Sequence, residues 1–394
     1  MRGGERQLLY LACALREAGH ESIIACRRGG ALEAEAVRLD LERLRLPFLA
    51  EWDPLSAALL RQAARRRATE NPVVVHAHTG HTASTAFLAG LAGGPPWVVH
   101  RRVDFPLSGW LSRRLKYESA GRVIAVSEAI ARILREQGLP DEKLAVVRDS
   151  VPTDAEEARA AGAALLAPAT AERRRELRAR LGREWHVDPQ APWVGNLAAL
   201  VPHKDQATFL RAAANIRERK PGARFWIVGE GPLRGELESL AREIGVADAV
   251  RFTGFQKDPG AWLQALDVFV LSSWGEGMGS VLLEAMACGL PIAATTAGGI
   301  GEVVEDGRTA LLAQPRDPKG LAAAVCRLLD EPGLAQKVAA AAARELKRFS
   351  LREAAAKTRQ IYEQAWAEWN GDLPSPLPSQ AVVGRGRAEE ARRR

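Results

Sequence analysis

Two doubly wound α/β domains are the fold this sequence predicts, on three observations. The chain has 394 residues, 47% of them apolar, which fills two ordinary domain cores more comfortably than one. Short β-branched runs alternate with amphipathic stretches, the rhythm of a parallel sheet covered by helices. The whole pattern then repeats after Pro192.

In the first round, strands are expected at 21–26, 73–76, 97–100, 122–126 and 144–147. In the second they are expected at 193–197, 224–228, 250–253, 268–271, 291–295 and 310–312. Residues 154–190 are rich in Ala, Arg and Glu and read as a long helical connector with a flexible join. The domains are therefore drawn as 1–185, an N-terminal Rossmann-like unit, and 186–350, a C-terminal Rossmann-like unit. A helix over 351–369 ends the folded part, and a Pro-rich, then Arg-rich tail over 370–394 is expected to be disordered.

The opening Met1-Arg2-Gly3-Gly4-Glu5 runs straight into a helical pattern, with no strand before the glycine turn. The first strand of a doubly wound domain is central, and its loss leaves unpaired backbone in the sheet. Two readings stand: Met1 is internal to a longer gene product, or Gly3 and Gly4 are a frayed terminus.

A formal net charge of +7, carried largely by arginine, favours anionic partners such as phosphates or acidic lipid headgroups. No helix-turn-helix, zinc-finger or RNA-recognition signature is present, and three Tyr and nine Phe offer little for base stacking, so nucleic acid is not expected as a partner. Cys13, Cys26, Cys288 and Cys326 are widely spaced, form no paired metal motif and read as core packing in a reducing compartment. The longest apolar region, 83–99, is broken by Gly90, Gly93, Gly94 and Pro95-Pro96, so no membrane span is expected. With no signal peptide in view, the expectation is a cytoplasmic protein with at most peripheral contact at the inner membrane face.

The most informative stretch is 273–287, where Gly275, Gly277 and Gly279 lead into an apolar helix. Glu276 belongs to the loop, where glycines let backbone approach a ligand closely. Glu284 lies eight residues later among apolar neighbours, and a buried carboxylate is tolerable there when hydroxyl donors such as a sugar diol reach it. Amides of Gly277, Met278 and Gly279 at the helix start suit a phosphate. The bland reading is a surface Glu276 and a Glu284 paired to an arginine in the core.

These features resemble the retaining glycosyltransferases of the GT-B fold, family 4, also called glycosyltransferase group 1: two Rossmann-like domains facing across a cleft. The resemblance runs from Gly3 to about Trp369 and is strongest where Glu276 and Glu284 match the family's Glu-x7-Glu motif, continued through Gly289-Leu290-Pro291-Ile292 and Gly298-Gly299-Ile300-Gly301-Glu302. Supporting pieces are Gly3-Gly4-Glu5, the Ile124-Ala125-Val126-Ser127 strand and Leu200-Val201-Pro202-His203-Lys204-Asp205. By that resemblance Glu284 holds the ribose hydroxyls of a nucleotide, Glu276 the hydroxyls of the transferred sugar, and Lys204 the diphosphate, with Gly4 approaching from the first domain. Where the family often has an arginine five residues before that lysine, this chain has Ala199, so neutralisation would lean on Lys204, backbone amides or another basic residue. His203 is either a helper or a capping residue. Gly229-Glu230-Gly231-Pro232 and Thr253-Gly254-Phe255 resemble strand ends that form the base pocket, or are ordinary turns.

On the acceptor side, His76, His78, His81, His100, Arg101, Arg102 and Asp104 cluster at two strand ends, where open α/β sheets take ligands. The family's histidine in this region aligns with either His100 or Arg101. His76 and His78 alternate as on a strand, but no carboxylate or cysteine is spaced to complete a metal site, and no metal or other cofactor is expected. The chemistry the resemblance implies is metal-independent transfer, with retention, from a nucleotide-diphosphate sugar to a hydroxyl of a glycan or glycolipid acceptor, in cell-envelope or lipopolysaccharide biosynthesis. Catalysis would then fall to Glu276, Lys204 and His100. A GT-B epimerase and a nucleotide-sugar-binding protein that has lost catalysis are the alternatives.

Overall fold

The computed structural model describes residues 3–91, 93–104 and 109–371. The first unit runs α1 (Gly3–Glu17), β1 (Ile23–Cys26), α2 (Ala31–Arg38), β2 (Glu42–Arg45), α3 (Pro54–Arg67), β3 (Val75–Ala77), α4 (Gly80–Gly90), β4 (Trp97–Arg101), α5 (Trp110–Arg113), β5 (Arg122–Ala125), α6 (Glu128–Glu136) and β6 (Leu144–Val146). After α7 (Ala155–Ala160) and α8 (Ala171–Trp185), the second unit runs β7 (Trp193–Leu197), α9 (Gln206–Arg219), β8 (Arg224–Val228), α10 (Arg234–Glu243), β9 (Val250–Gly254), α11 (Pro259–Ala265), β10 (Val268–Leu271), α12 (Val281–Ala287), β11 (Ile292–Thr295), β12 (Leu311–Ala313), α13 (Pro318–Asp330) and α14 (Pro332–Glu345). The last helix, α15 (Leu351–Asn370), follows.

The second sheet is a continuous parallel array in the order β12-β11-β10-β7-β8-β9. Every residue of β7, β10 and β11 is buried, as apolar strands covered by helices on both faces must be. Two Rossmann-like sheets form the GT-B architecture, as expected. The first is broken: β1-β2 and β3-β4-β5-β6 are separate parallel ladders, with no strand joining them among the described residues.

Three details differ from expectation. Strand β2 was not foreseen, because Glu42–Arg45 carries charge on three of four residues and has no apolar alternation. Gly3 and Gly4 form the first turn of α1 rather than a loop. The helical connector expected over 154–190 is two helices, α7 and α8, rather than one long one, and Leu177 and Leu181 of α8 are buried in a cluster with Trp193, Trp226 and Trp262 of the second unit. Spacing of four residues puts both leucines on one face of an otherwise charged helix, a stripe too narrow to stand out in composition. Of the expected tail, residues beyond Gly371 lie outside those described.

Helix α15 packs not on the second unit but on the first, with Ile361 and Ala365 against Val98, Ile124 and Val147. Arg122 of β5 is paired to Glu368 of α15 through both terminal guanidinium nitrogens.

Candidate active site

The glycine loop lies where the two units meet. Gly277 carries no side chain because a Cβ there would collide with the Arg102 carbonyl at the end of β4. Its own carbonyl accepts a 2.6 Å hydrogen bond from the Ser127 hydroxyl, and Gly279 holds φ +81°. Met278 is 2% exposed, and its sulfur accepts from the Asp149 amide at 3.2 Å. The loop is thus clamped by the first unit before α12 begins at Val281.

Glu276 is buried, contrary to the surface reading, and its Oε1 accepts from Lys204 Nζ at 2.5 Å and from the Ser273 hydroxyl at 2.7 Å. Lys204 ends a short 3₁₀ turn, Pro202–Lys204, that follows β7. Two links fix this turn beside the glycine loop: the Trp274 amide donates to the His203 carbonyl at 3.0 Å, and the Ser272 hydroxyl to the Lys204 carbonyl at 3.0 Å. His203 is held below the ordinary histidine range, first by burial and then by the Lys204 charge. Asp104, from the first unit, stands against Gly275, where a Cβ would meet its carboxylate at 2.5 Å.

Glu284 does have an arginine partner, and sequence reasoning could not name it. Arg6, on α1 of the first unit, donates from Nη1 to Glu284 Oε1 at 2.5 Å. Burial pushes the Glu284 carboxyl above the usual carboxylate range, and Arg6 only partly offsets this. The first turn of α1 faces the same place: a Cβ on Gly3 would lie 3.6 Å from the Ser280 hydroxyl, and one on Gly4 3.6 Å from the Arg102 side chain. Arg102 is itself paired to Asp149, and burial brings it down to about 10. Two carboxylates therefore each carry a cation, at sites where a polar ligand with its own negative charge can draw the cations away.

Glu302, at the end of the quoted glycine stretch, was given no role from sequence. It reaches across to the first unit, accepting from the Glu128 and Ala129 amides at 3.0 and 2.9 Å and pairing with Arg148 at 3.0 Å. A carboxylate on the first-turn amides of α6 satisfies donors the helix leaves open.

Other expected residues lie apart from this cluster. Phe255 is 57% exposed beyond the end of β9. Nearby, Gly229 is required by close packing, since its φ is +143° and a Cβ would strike the Ala198 carbonyl; Gly231 stands likewise against Leu200. Ala199, the site of the missing arginine, gives its carbonyl to Gln206 Nε2 at 3.0 Å. His81 is exposed on α4 and lines a 330 Å³ cavity with Arg27, Phe48 and Glu51. Arg101 turns to the Tyr117 hydroxyl at 3.2 Å and lies over that ring. His100 is 5% exposed, with Nδ1 3.4 Å from Arg102 Nη2; it packs with His76 and His78.

Residues 1–155 match the family model described as Glycosyltransferase Family 4, and residues 188–331 that described as Glycosyl transferases group 1. The chain is 28% identical over 337 residues to an alpha-D-kanosaminyltransferase of Streptomyces kanamyceticus, covering 79% of this chain and 83% of that protein. It is 33% identical over 260 residues to a D-inositol 3-phosphate glycosyltransferase of Streptomyces scabiei, covering 63% of this chain but only 54% of that protein. Against the lipopolysaccharide core biosynthesis glycosyltransferase LpsE of Rhizobium meliloti it is 35% identical over 149 residues, 38% of this chain and 43% of that one. Solved structures of the same shape include Anabaena Alr3699/HepE in complex with UDP-glucose, at TM-score 0.76 and 22% identity over 95% of this chain and 97% of that chain. A glycosyltransferase from Rickettsia africae superposes at TM-score 0.75 and 20% identity over 92% and 94%. Matched in order along the chain, these two glycosyltransferase domain models lie on the paired Rossmann-like sheets of the GT-B fold.

Proposed function

We propose that this chain moves a glycosyl group, with retention, from a nucleoside-diphosphate sugar to a hydroxyl of an envelope glycan or glycolipid. The observation that carries the reading is the pair of cation-matched carboxylates, Glu276 with Lys204 and Glu284 with Arg6, on either side of one glycine loop. In this reading the diphosphate takes Lys204 from Glu276, which turns to the sugar hydroxyls, and the ribose diol takes the place of Arg6 on Glu284. Arg6 and Lys204 then supply the positive charge that Ala199 does not, and they stabilise the leaving diphosphate without a metal at that position. The departing phosphate oxygen accepts the acceptor's proton, so no separate base is assigned. The binding of UDP-glucose by the Anabaena neighbour supports a uridine nucleotide as the first donor to test.

The acceptor-side reading extends to contact with an anionic membrane surface. Among the described residues no helix is long and apolar enough to cross a membrane. Trp110 and Leu111 on α5 are 67% and 51% exposed. Leu111 shares a cavity lining with Trp52 and Lys116. Exposed Arg114 follows. Aromatic and aliphatic side chains beside cations suit a headgroup layer.

The test is turnover of UDP-, GDP- and ADP-sugars with and without a lipid-linked acceptor, with the anomeric configuration of the product read by NMR. Transfer with retention supports the proposal. Inversion overturns the stereochemical part, epimerisation without acceptor supports the epimerase, and binding without turnover supports the non-catalytic alternative. Sedimentation with anionic vesicles, reduced in Trp110→Ser, tests the membrane contact; equal binding to neutral vesicles would argue against it.

A further inference from the structure

Strands β3 and β4 bring a third histidine to the two that alternate on β3. The register pairs His76 with Val98 and Ala77 with Val99, so His78 and His100 lie opposite each other one step further on. Side chains two residues apart share a sheet face, and all three imidazoles therefore project from the same side. One ligand-capable nitrogen from each lies within 4.8 Å of the others.

Their nitrogens are also short of partners. Nε2 of His76, Nδ1 of His78 and Nε2 of His100 are buried with no hydrogen bond among the described residues. Buried polar atoms are nearly always satisfied, so three orphans in one cluster call for an occupant. His100 Nδ1 lies 3.4 Å from Arg102 Nη2, a long contact that ligation through Nε2 must release, whereas His76 Nδ1 lies 2.6 Å from the Tyr362 hydroxyl of α15. A donor Nδ1–H there leaves the Nε2 lone pair free, the tautomer that a metal-bound histidine takes.

We propose that His76, His78 and His100 form a three-imidazole site for a divalent first-row transition ion of the zinc type. Three neutral imidazoles with one position left over are a donor set that zinc accepts, whereas a hard cation would look for oxygen. Burial holds all three well below the ordinary histidine range, His76 down to about 3, with Arg102 adding to the effect. The Arg102 charge that would oppose a cation is matched by Asp149. The rings lie stacked, with His76 and His78 centroids 3.9 Å apart, so convergence on one ion requires them to turn about χ2, a broad torsion in histidine. The ion would tie β3, the edge of its ladder, to β4 and, through Tyr362, to α15. The site does not rest on the transfer reading, since none of its histidines touches Glu276, Lys204 or Glu284.

The experiment is Zn(II) titration of the chelator-stripped full chain by competition with a chromophoric chelator. One ion per chain is expected, with affinity lost in His76→Gln, His78→Gln and His100→Gln and kept in the control His20→Gln, whose residue is exposed on the surface. Tyr362→Phe, which removes only the orienting hydroxyl, is expected to weaken binding by roughly 10- to 100-fold. Zinc K-edge absorption of the wild-type protein should report three imidazole ligands, a reading that needs no variant to fold. Absence of stoichiometric zinc, binding that survives the three substitutions, or a spectrum with fewer than three imidazoles would each overturn the site.

Discussion

In the second unit β7, β10 and β11 are buried along their whole length; in the first, β2 leaves three of its four residues exposed and β3 has a single buried one. The second sheet is covered by apolar helices and holds itself by area. The first is split, and polar clamps supply much of what area does not: Gln7 exchanges hydrogen bonds of 2.8 and 2.9 Å with the Ser150 backbone, Arg122 grips Glu368, and Glu302 and Gly277 of the second unit hold the α6 end. The difference teaches that the first unit depends on its partner and on α15 for order, so its local opening should be cheaper.

The largest expected effect separates chemistry from stability. Lys204→Ala should lower kcat by about 10²- to 10³-fold, the scale of losing one preorganised charge-stabilising donor, with little change in the urea midpoint; a parallel fall in stability would make Lys204 a strut instead. Next comes the core contrast. Phe209→Ala, in the fully buried cluster of the second unit, should cost ~3–5 kcal/mol in urea unfolding, against about 2–3 for Leu9→Ala in the small α1–β1 cluster, where relaxation is easier. Equal costs would erase the distinction between the units, and slower hydrogen exchange in β7 and β10 than in β1 would sharpen it.

Glu302→Ala should cost roughly 0.5–2 kcal/mol, the usual worth of a helix cap, and should raise the radius of gyration in solution scattering as the cleft loosens. An unchanged radius would mean that other contacts hold closure alone. The smallest effect has the opposite sign. The Glu284 carboxyl is raised by burial, so its charged form weighs against folding once pH exceeds its unfolded value of 4.5 and fully so above its folded value. Glu284→Gln should therefore raise the melting temperature slightly at neutral pH, with the gain vanishing as pH falls toward 4.5, while donor binding is lost. A destabilised Glu284→Gln would show that the Arg6 pair outweighs burial.

Much of this was legible in the chain. Strands of the second unit fell within a residue or two of expectation because buried parallel strands are continuous apolar runs bounded by turns. The glycine loop announced itself since glycines are forced where backbone meets backbone, as Gly277 meets Arg102. What escaped were pairings over long separations: Arg6 finds Glu284 across 278 residues, and Tyr362 finds His76 across 286. No local pattern encodes these. His100 had been grouped with His76 and His78 at two strand ends, but only the alternating pair was weighed as a metal set; the register of β3 and β4 is what sets His100 beside His78.

The return of α15 to the first unit has a consequence for how the molecule comes into being. A nascent chain ordinarily completes its leading domain while the rest is still being made. Here the apolar face formed by Val98, Ile124 and Val147 stays bare until Ile361 and Ala365 have left the ribosome, after the whole second unit has been synthesised. The unit that is translated first is finished last.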